Sequence, residues 1–265
     1  MSNHLVKVAI NKKILNLTLN DPENQNTLSE NMIAELDKNL QDAAKDNSVK
    51  VIILSSTGPV FCAGHNLKDL NSKRSDIDKG KGYFEKIFKS CSNLMINIIK
   101  NPKPVIASIN GIATAAGCQL VASCDLAYAS TNAKFATPGV NIGLFCSTPM
   151  VAVTRNLSRK HAMELLLTGE LISASDAVRI GLINHAVTSR NLDEAVRDLA
   201  LRIRKKSPFA IGLGKDLFYK QIEEGIEAAY ERASEAITCN MMDEETKLGI
   251  DAFLAKKPLP QWKAK

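Results

Sequence analysis

The feature that most constrains this chain is a pair of short, apolar, β-rich runs at residues 49–54 and 104–110, each followed by a loop of small residues that opens a helix. A strand that is apolar on both faces has to be covered on both faces, which is the situation of parallel sheets flanked by helices. The pattern predicts an α/β fold and argues against an antiparallel sandwich, whose strands would alternate apolar and polar. With 265 residues, 45% of them hydrophobic, the chain can form one such domain, with or without a helical appendage, and bury its core without staples.

Other segments fill in the order. Residues 5–10 and 14–19 alternate apolar and polar and read as half-buried strands, joined as a hairpin at Asn11-Lys12-Lys13 and ended by Asp21-Pro22. Ser29 is a candidate N-cap for a helix with Met32, Ile33, Leu36 and Leu40 on one face. Residues 71–82 are polar and charged and read as a loop; a helix over 83–99 follows, stopped by Pro102 and Pro104. Residues 125–129 give one more strand. From about Thr148 the periodicity is helical, with a capping-box pattern at Ser173 to Asp176 and helices over 192–204, 209–221, 226–241 and 244–254. The organisation is βα units first and helices last, which divides the chain into a core over 1–190 and a helical region over 191–265.

Lysine and arginine outnumber aspartate and glutamate by 34 to 28, a net charge of +6. That mild excess suits a polyanionic ligand carrying a pyrophosphate and a further phosphate. It does not point to nucleic acid, whose footprint is a larger clustered patch; the densest basic run, 202–206, falls on a predicted helix and reads as a solvated face. The six cysteines contain no C-x-x-C pair, and with the four scattered histidines they offer no zinc spacing, so reduced thiols and no metal are expected. No apolar run reaches the roughly 18 residues of a membrane span. The first ten residues show neither a signal core nor a transit face, so the expected location is cytoplasmic, or the mitochondrial matrix if a transit peptide has been removed.

Two loops carry the candidate chemistry. One is Phe61-Cys-Ala-Gly-His-Asn-Leu; the other is Ile109-Asn-Gly-Ile-Ala-Thr-Ala-Ala-Gly-Cys-Gln. Small residues let a ligand approach the backbone closely, and a helix start presents N–H groups without intrahelical partners. Two such starts facing one another can receive an oxygen that gains negative charge, an oxyanion hole. Gly117 is followed by Cys-Gln, not Lys-Ser/Thr, so the second loop is not a nucleotide P-loop.

These residues resemble the enoyl-CoA hydratase/isomerase, or crotonase, superfamily over nearly the whole chain. The resemblance rests on Asn20-Asp-Pro to Asn26-Thr-Leu, the two loops, Cys124-Asp-Leu, Phe135-Ala-Thr-Pro, Leu167-Thr-Gly-Glu and Gly249-Ile-Asp-Ala-Phe. The stretch from Ala115 to Pro149 is most similar to the branch called enoyl-CoA hydratase domain-containing protein three. The resemblance implies a ClpP-like spiral of ββα repeats, a C-terminal helical trimerisation region, a homotrimer or hexamer, and an acyl-CoA thioester ligand. Coenzyme A enters only as part of the substrate, with no separate cofactor. It further implies that the N–H groups of His65 and Ala116 hold the thioester carbonyl and stabilise an enolate. Ala63, Gly64, Asn66, Leu67 and Gly117 are the expected substrate-binding positions of the loops, joined by Asn141, Cys146, Lys256 and Lys257, the last two toward the CoA phosphates.

The same comparison shows a departure. Hydratases of the family carry a Glu after the glycine-rich segment and another after Phe-x-x-Pro; here those positions are Gln119 and Gly139. Glutamine exchanges no proton near neutral pH, and glycine offers no side chain. Hydration is therefore doubtful for this chain, with His65 the one titratable group beside the expected hole. Ala-Gly-His-Asn is similar to a decarboxylase branch carrying Ala-Gly-His-Asp, so decarboxylation of a malonyl-type thioester and CoA-ester binding without turnover are the alternatives.

Overall fold

The computed structural model describes residues 4–262. Residues 1–3, on which the reading of the N-terminus partly rests, and 263–265 lie outside the described residues. The chain opens with β1 (Val6–Asn11) and β2 (Ile14–Leu19), paired antiparallel with Val6 opposite Leu19. Lys12 and Lys13 between them both hold positive φ, 50° and 63°, the backbone sense that matches the twist of a two-residue hairpin. Helix α1 (Glu30–Lys45) follows. Ser29 caps it as its position predicts, the hydroxyl accepting the Met32 N–H at 3.2 Å.

The chain then repeats one pattern: a strand for a large sheet, a short strand for a small sheet, then helix. The first turn is β3 (Val51–Ser56), β4 (Val60–Cys62), α2 (Leu67–Ser72) and α3 (Lys81–Lys100). The second is β5 (Val105–Ile109), β6 (Ile112–Thr114) and α4 (Ala116–Ser123). The third is β7 (Leu126–Ser130), β8 (Lys134–Ala136), α5 (Ser147–Val153) and α6 (Arg159–Thr168). A shortened turn closes the series with β9 (Ile172–Ser173), α7 (Ala174–Ile180) and β10 (His185–Val187). The large sheet runs β1-β2-β3-β5-β7-β10 and the small one β4-β6-β8-β9, so successive turns lay their strands side by side. This is the expected ββα spiral.

The apolar runs explain the layering. Alternate residues of a strand face opposite sides. Ile52 and Leu54 of β3 enter the main core with Leu36, Leu40 and Leu94, whereas Val51 and Ile53 enter a second core with Leu192, Val196 and Ala200 of α8 (Leu192–Arg204). β5 divides likewise, Ala107 to one layer and Ile106 to the other. Three helices follow: α9 (Pro208–Gln221), α10 (Ile226–Met241) and α11 (Glu244–Leu254).

Two expectations need correction. Residues 71–82 are not one loop: α2 runs to Ser72, a 3-10 turn spans Lys73–Ser75, and α3 starts at Lys81. Nor is everything after Thr148 helical, since β10 pairs parallel with β7 at the edge of the large sheet. Helix α9 is tied to the spiral by a buried group. Lys215 Nζ lies 2.6 Å from Asp125 Oδ2 and donates to the carbonyls of Ile98 and Lys103, while Tyr219 donates to Asp125 Oδ1 at 3.0 Å. Burial raises the pKa of the Asp125 carboxyl, an effect the Lys215 ammonium beside it offsets only in part.

Candidate active site

The first loop leaves β4 through Ala63, Gly64 and His65. Gly64 takes φ +93°, a conformation side chains rarely adopt. Backbone bonds from the N-terminal segment clamp it: the Ala63 N–H donates to Gln25 O at 3.1 Å, and Gly64 O accepts the Leu28 N–H at 2.7 Å. That segment is itself held by Asn26, fully buried, which donates to the carbonyls of Thr57 and Val60 and accepts the Asp21 N–H, each at 2.8 Å. Asn66 starts α2, its Oδ1 accepting the Lys68 and Asp69 N–H groups at 3.0 and 3.4 Å. The Asn66 side chain is thus engaged as a cap, and Leu67 beside it is exposed.

The second loop leaves β6 at Thr114, whose hydroxyl donates to Ala63 O at 3.2 Å and so links the loops. Ala115 sits at φ 51°, ψ −119°, a strained conformation for a residue with a β-carbon, costing on the order of 1–3 kcal/mol. It turns the chain into α4, whose first residue is Ala116. The loops meet backbone to backbone. A β-carbon built on Gly64 would lie 3.2 Å from Ala116 N, and one built on Gly117 would lie 2.0 Å from Cys62 O. Only glycine permits that approach at 117. Among the described residues, no group of the chain accepts the His65 or the Ala116 N–H. Two adjacent backbone donors without partners are what a carbonyl oxygen gaining negative charge requires.

The titratable side chains nearest this point are His65 and Asp69, with the thiols of Cys118 and Cys146 further along. The His65 ring packs edge-on against Phe88, centroids 5.2 Å apart, in a small pocket with apolar Leu28, Leu70, Tyr83 and Ile87 and polar Ser29, Asn66 and Asp69. Its Nε2 is buried without a partner, and burial lowers its pKa to about 4, so the ring is neutral at pH 7. Gln119 lies one turn along α4 from Ala116, buried, with Oε1 lacking a hydrogen-bond partner. Gly139 stands in a 3-10 turn (Pro138–Ile142) that folds back on itself. A β-carbon there would meet Leu144 O at 2.1 Å and Cys146 Sγ at 2.9 Å. Position 139 is therefore filled by the chain's own backbone. Burial raises the pKa of the Cys146 thiol and pushes that of neighbouring Cys118 up to about 12, so neither is a thiolate at neutral pH.

The remaining candidates lie at the margins. Asn141 is exposed in the same turn, its side-chain amide against Gly169 at the end of α6. Lys256 and Lys257 are exposed just past α11, Lys256 with φ 52°. Among the described residues no cluster of three His, Cys, Asp or Glu could hold a metal ion, and no helix is long and apolar enough to cross a membrane. Sequence reasoning missed the strain at Ala115 and the filling of position 139. Nothing in an Ala or a Gly signals which conformation or which neighbour it will have.

A ββα spiral that brings two glycine-bearing helix starts together is the crotonase arrangement, and the chain matches the enoyl-CoA hydratase/isomerase family over residues 9–265. It belongs to that family. It is 45% identical over 249 residues to rat enoyl-CoA hydratase domain-containing protein 3, mitochondrial, covering 94% of this chain and 81% of the relative. Among solved structures, an enoyl-CoA hydratase from Mycobacterium smegmatis superposes with a TM-score of 0.93 at 45% identity, covering 97% of this chain and 98% of the other. Human enoyl coenzyme A hydratase domain-containing protein 3 gives 0.91 at 43% identity, covering 97% of this chain and 99% of the other. The chain's place is thus in acyl-CoA metabolism.

Proposed function

We propose that this protein binds an acyl-CoA thioester with its carbonyl oxygen between the N–H groups of His65 and Ala116, stabilises the enolate form, and does not add water efficiently to an enoyl group. The observation that carries the second half is the filled position 139, where Leu144 O occupies the room a side chain would need. Water addition needs a base to activate water and an acid to protonate carbon, each step worth roughly 10²–10⁴-fold. Gln119 supplies neither, and burial keeps the His65 ring neutral and a weak base at pH 7. The hole itself is made of main chain and is unaffected by these changes. Lys256 and Lys257, exposed beyond α11, are the proposed contacts for the CoA phosphates. Phe218, Ile222, Tyr230, Ile237 and Phe253 leave the outer helices with exposed apolar side chains, which supports assembly as a trimer or hexamer.

The test is incubation of the unmodified protein with crotonyl-CoA, read by mass spectrometry beside a binding titration of the same sample. Saturable binding with no fast gain of one water is expected. Fast gain of water would overturn the reading. If a malonyl-type thioester loses carbon dioxide in the same assay, the reaction is decarboxylation, which needs the hole and desolvation of the carboxylate but no carboxylate base; if neither ester turns over, the site is a binder.

A further inference from the structure

A second region of the molecule gathers charge of one sign. At the end of the large sheet where the parallel strands begin, Lys13 precedes β2 and Lys50 precedes β3. Across from them the end of α8 contributes Arg204, Lys205 and Lys206, and together these five cationic residues line one cleft with no acidic residue in its wall. The last three residues of the run 202–206 open onto this cleft. The opposite wall is the C-terminal segment, with Leu259, Pro260 and Trp262. Lys50 is 8% exposed and donates to Trp262 O at 2.8 Å, which fastens that wall, and Arg204 is fixed by donation to Lys12 O at 2.9 Å. The carboxylate next behind, Glu245, is buried and takes the Ser207 hydroxyl at 2.6 Å. Lys205 and Lys206 are exposed.

Like charges gathered in a cleft repel one another and focus a field that an anion relieves. A nucleic acid would need a long, open patch; this cleft is confined on one side by the tail and has an apolar strip beside the cations. It lies away from the two carbonyl-binding loops, and its tail wall begins two residues beyond Lys257. The loops of His65 and Ala116 depart beyond the far ends of β3 and β5, and a six-residue strand such as β3 spans about 20 Å. We propose that this cleft is a binding site for a small phosphate-bearing anion, distinct from the carbonyl-binding loops of His65 and Ala116.

The experiment titrates the full chain with inorganic pyrophosphate at constant ionic strength, by calorimetry and by the fluorescence of Trp262, the chain's single tryptophan and part of the cleft wall. The same titration is run on the double variant Lys205→Gln/Lys206→Gln, whose exposed positions leave folding intact, with crotonyl-CoA binding measured on both. Expected are saturable binding with a fluorescence change, an affinity at least tenfold weaker in the double variant, and equal thioester affinity in the two proteins. No saturable binding to the unmodified chain, or equal pyrophosphate affinity in both, overturns the proposal. A thioester affinity that falls together with the pyrophosphate affinity overturns the separateness of the two sites.

Discussion

The two sides of the candidate site have been built by different rules. Around His65 and Ala116 the geometry is mostly main chain: backbone bonds to Gln25 and Leu28, joined by the Thr114 hydroxyl, a positive φ at Gly64, and Gly117 where no β-carbon fits. Around 139–146 the chain folds back on itself, with Leu144 O and Cys146 Sγ packed where a β-carbon on Gly139 would stand. A donor made of peptide survives substitution of the residues that carry it, whereas a carboxylate does not.

The comparison can be broken at its tightest point by Gly117→Ala. The new β-carbon would sit 2.0 Å from Cys62 O, so the loops must part. A stability loss of about 3 kcal/mol or more is expected by chemical denaturation, and the proposed thioester binding is expected to be lost as the two loops part. On the other side, Gly139→Glu meets Leu144 O at 2.1 Å. The double variant Gln119→Glu/Gly139→Glu is expected to lose about 2–3 kcal/mol and still to leave crotonyl-CoA unhydrated. Efficient hydration by the double variant would show that the 139–146 turn is adaptable and that the two sides are not built differently.

A third measurement sharpens the picture of His65. Its pKa in the folded chain, about 4, lies below the ordinary 6.5, so the unfolded chain takes up the proton first. The stability tied to the neutral ring is complete above about pH 6.5 and declines as the pH falls toward 4, by up to about 3 kcal/mol. Urea midpoints at pH 7 and pH 4.5 are expected to differ less in His65→Gln than in the unmodified chain. An equal difference would mean the ring is not buried neutral. The smallest expected effect is at Ala115, where Ala115→Gly removes the strain of a positive φ and should raise stability by up to about 1 kcal/mol in the same assay.

What could be read from the sequence follows from how each element is stabilised. β3 and β5 were legible because both faces of each are buried, and the helices from 192 to 254 because their apolar residues keep a helical period. β4, β6 and β8 have three residues each, too few to show a period, and they exist because a neighbouring turn of the spiral pairs with them. In the site, Gly64 and Gly117 announce a close approach. The positive φ of Ala115 does not, since alanine signals ordinary backbone, and the direction of the His65 ring depends on Phe88, 23 positions away in the chain (88 − 65). The basic residues of the second cleft are dispersed over 13, 50 and 204–206, and only the fold collects them.

The Asp125 group reaches further than its role in packing. The carboxylate follows directly on α4, the helix that opens at Ala116, and its Oδ2 accepts the Val105 N–H at the start of β5 at 2.7 Å as well as Lys215 of α9. Drawing α9 away would strand a buried ion at the foot of the very strand that leads to the second loop, a penalty of about 3–5 kcal/mol when one partner of such a pair is removed. The outer helix α9 and the region just past α4 therefore share an anchor: α9 cannot swing as an independent flap, and its central amides should exchange with solvent on the slow timescale of the core rather than that of a loop.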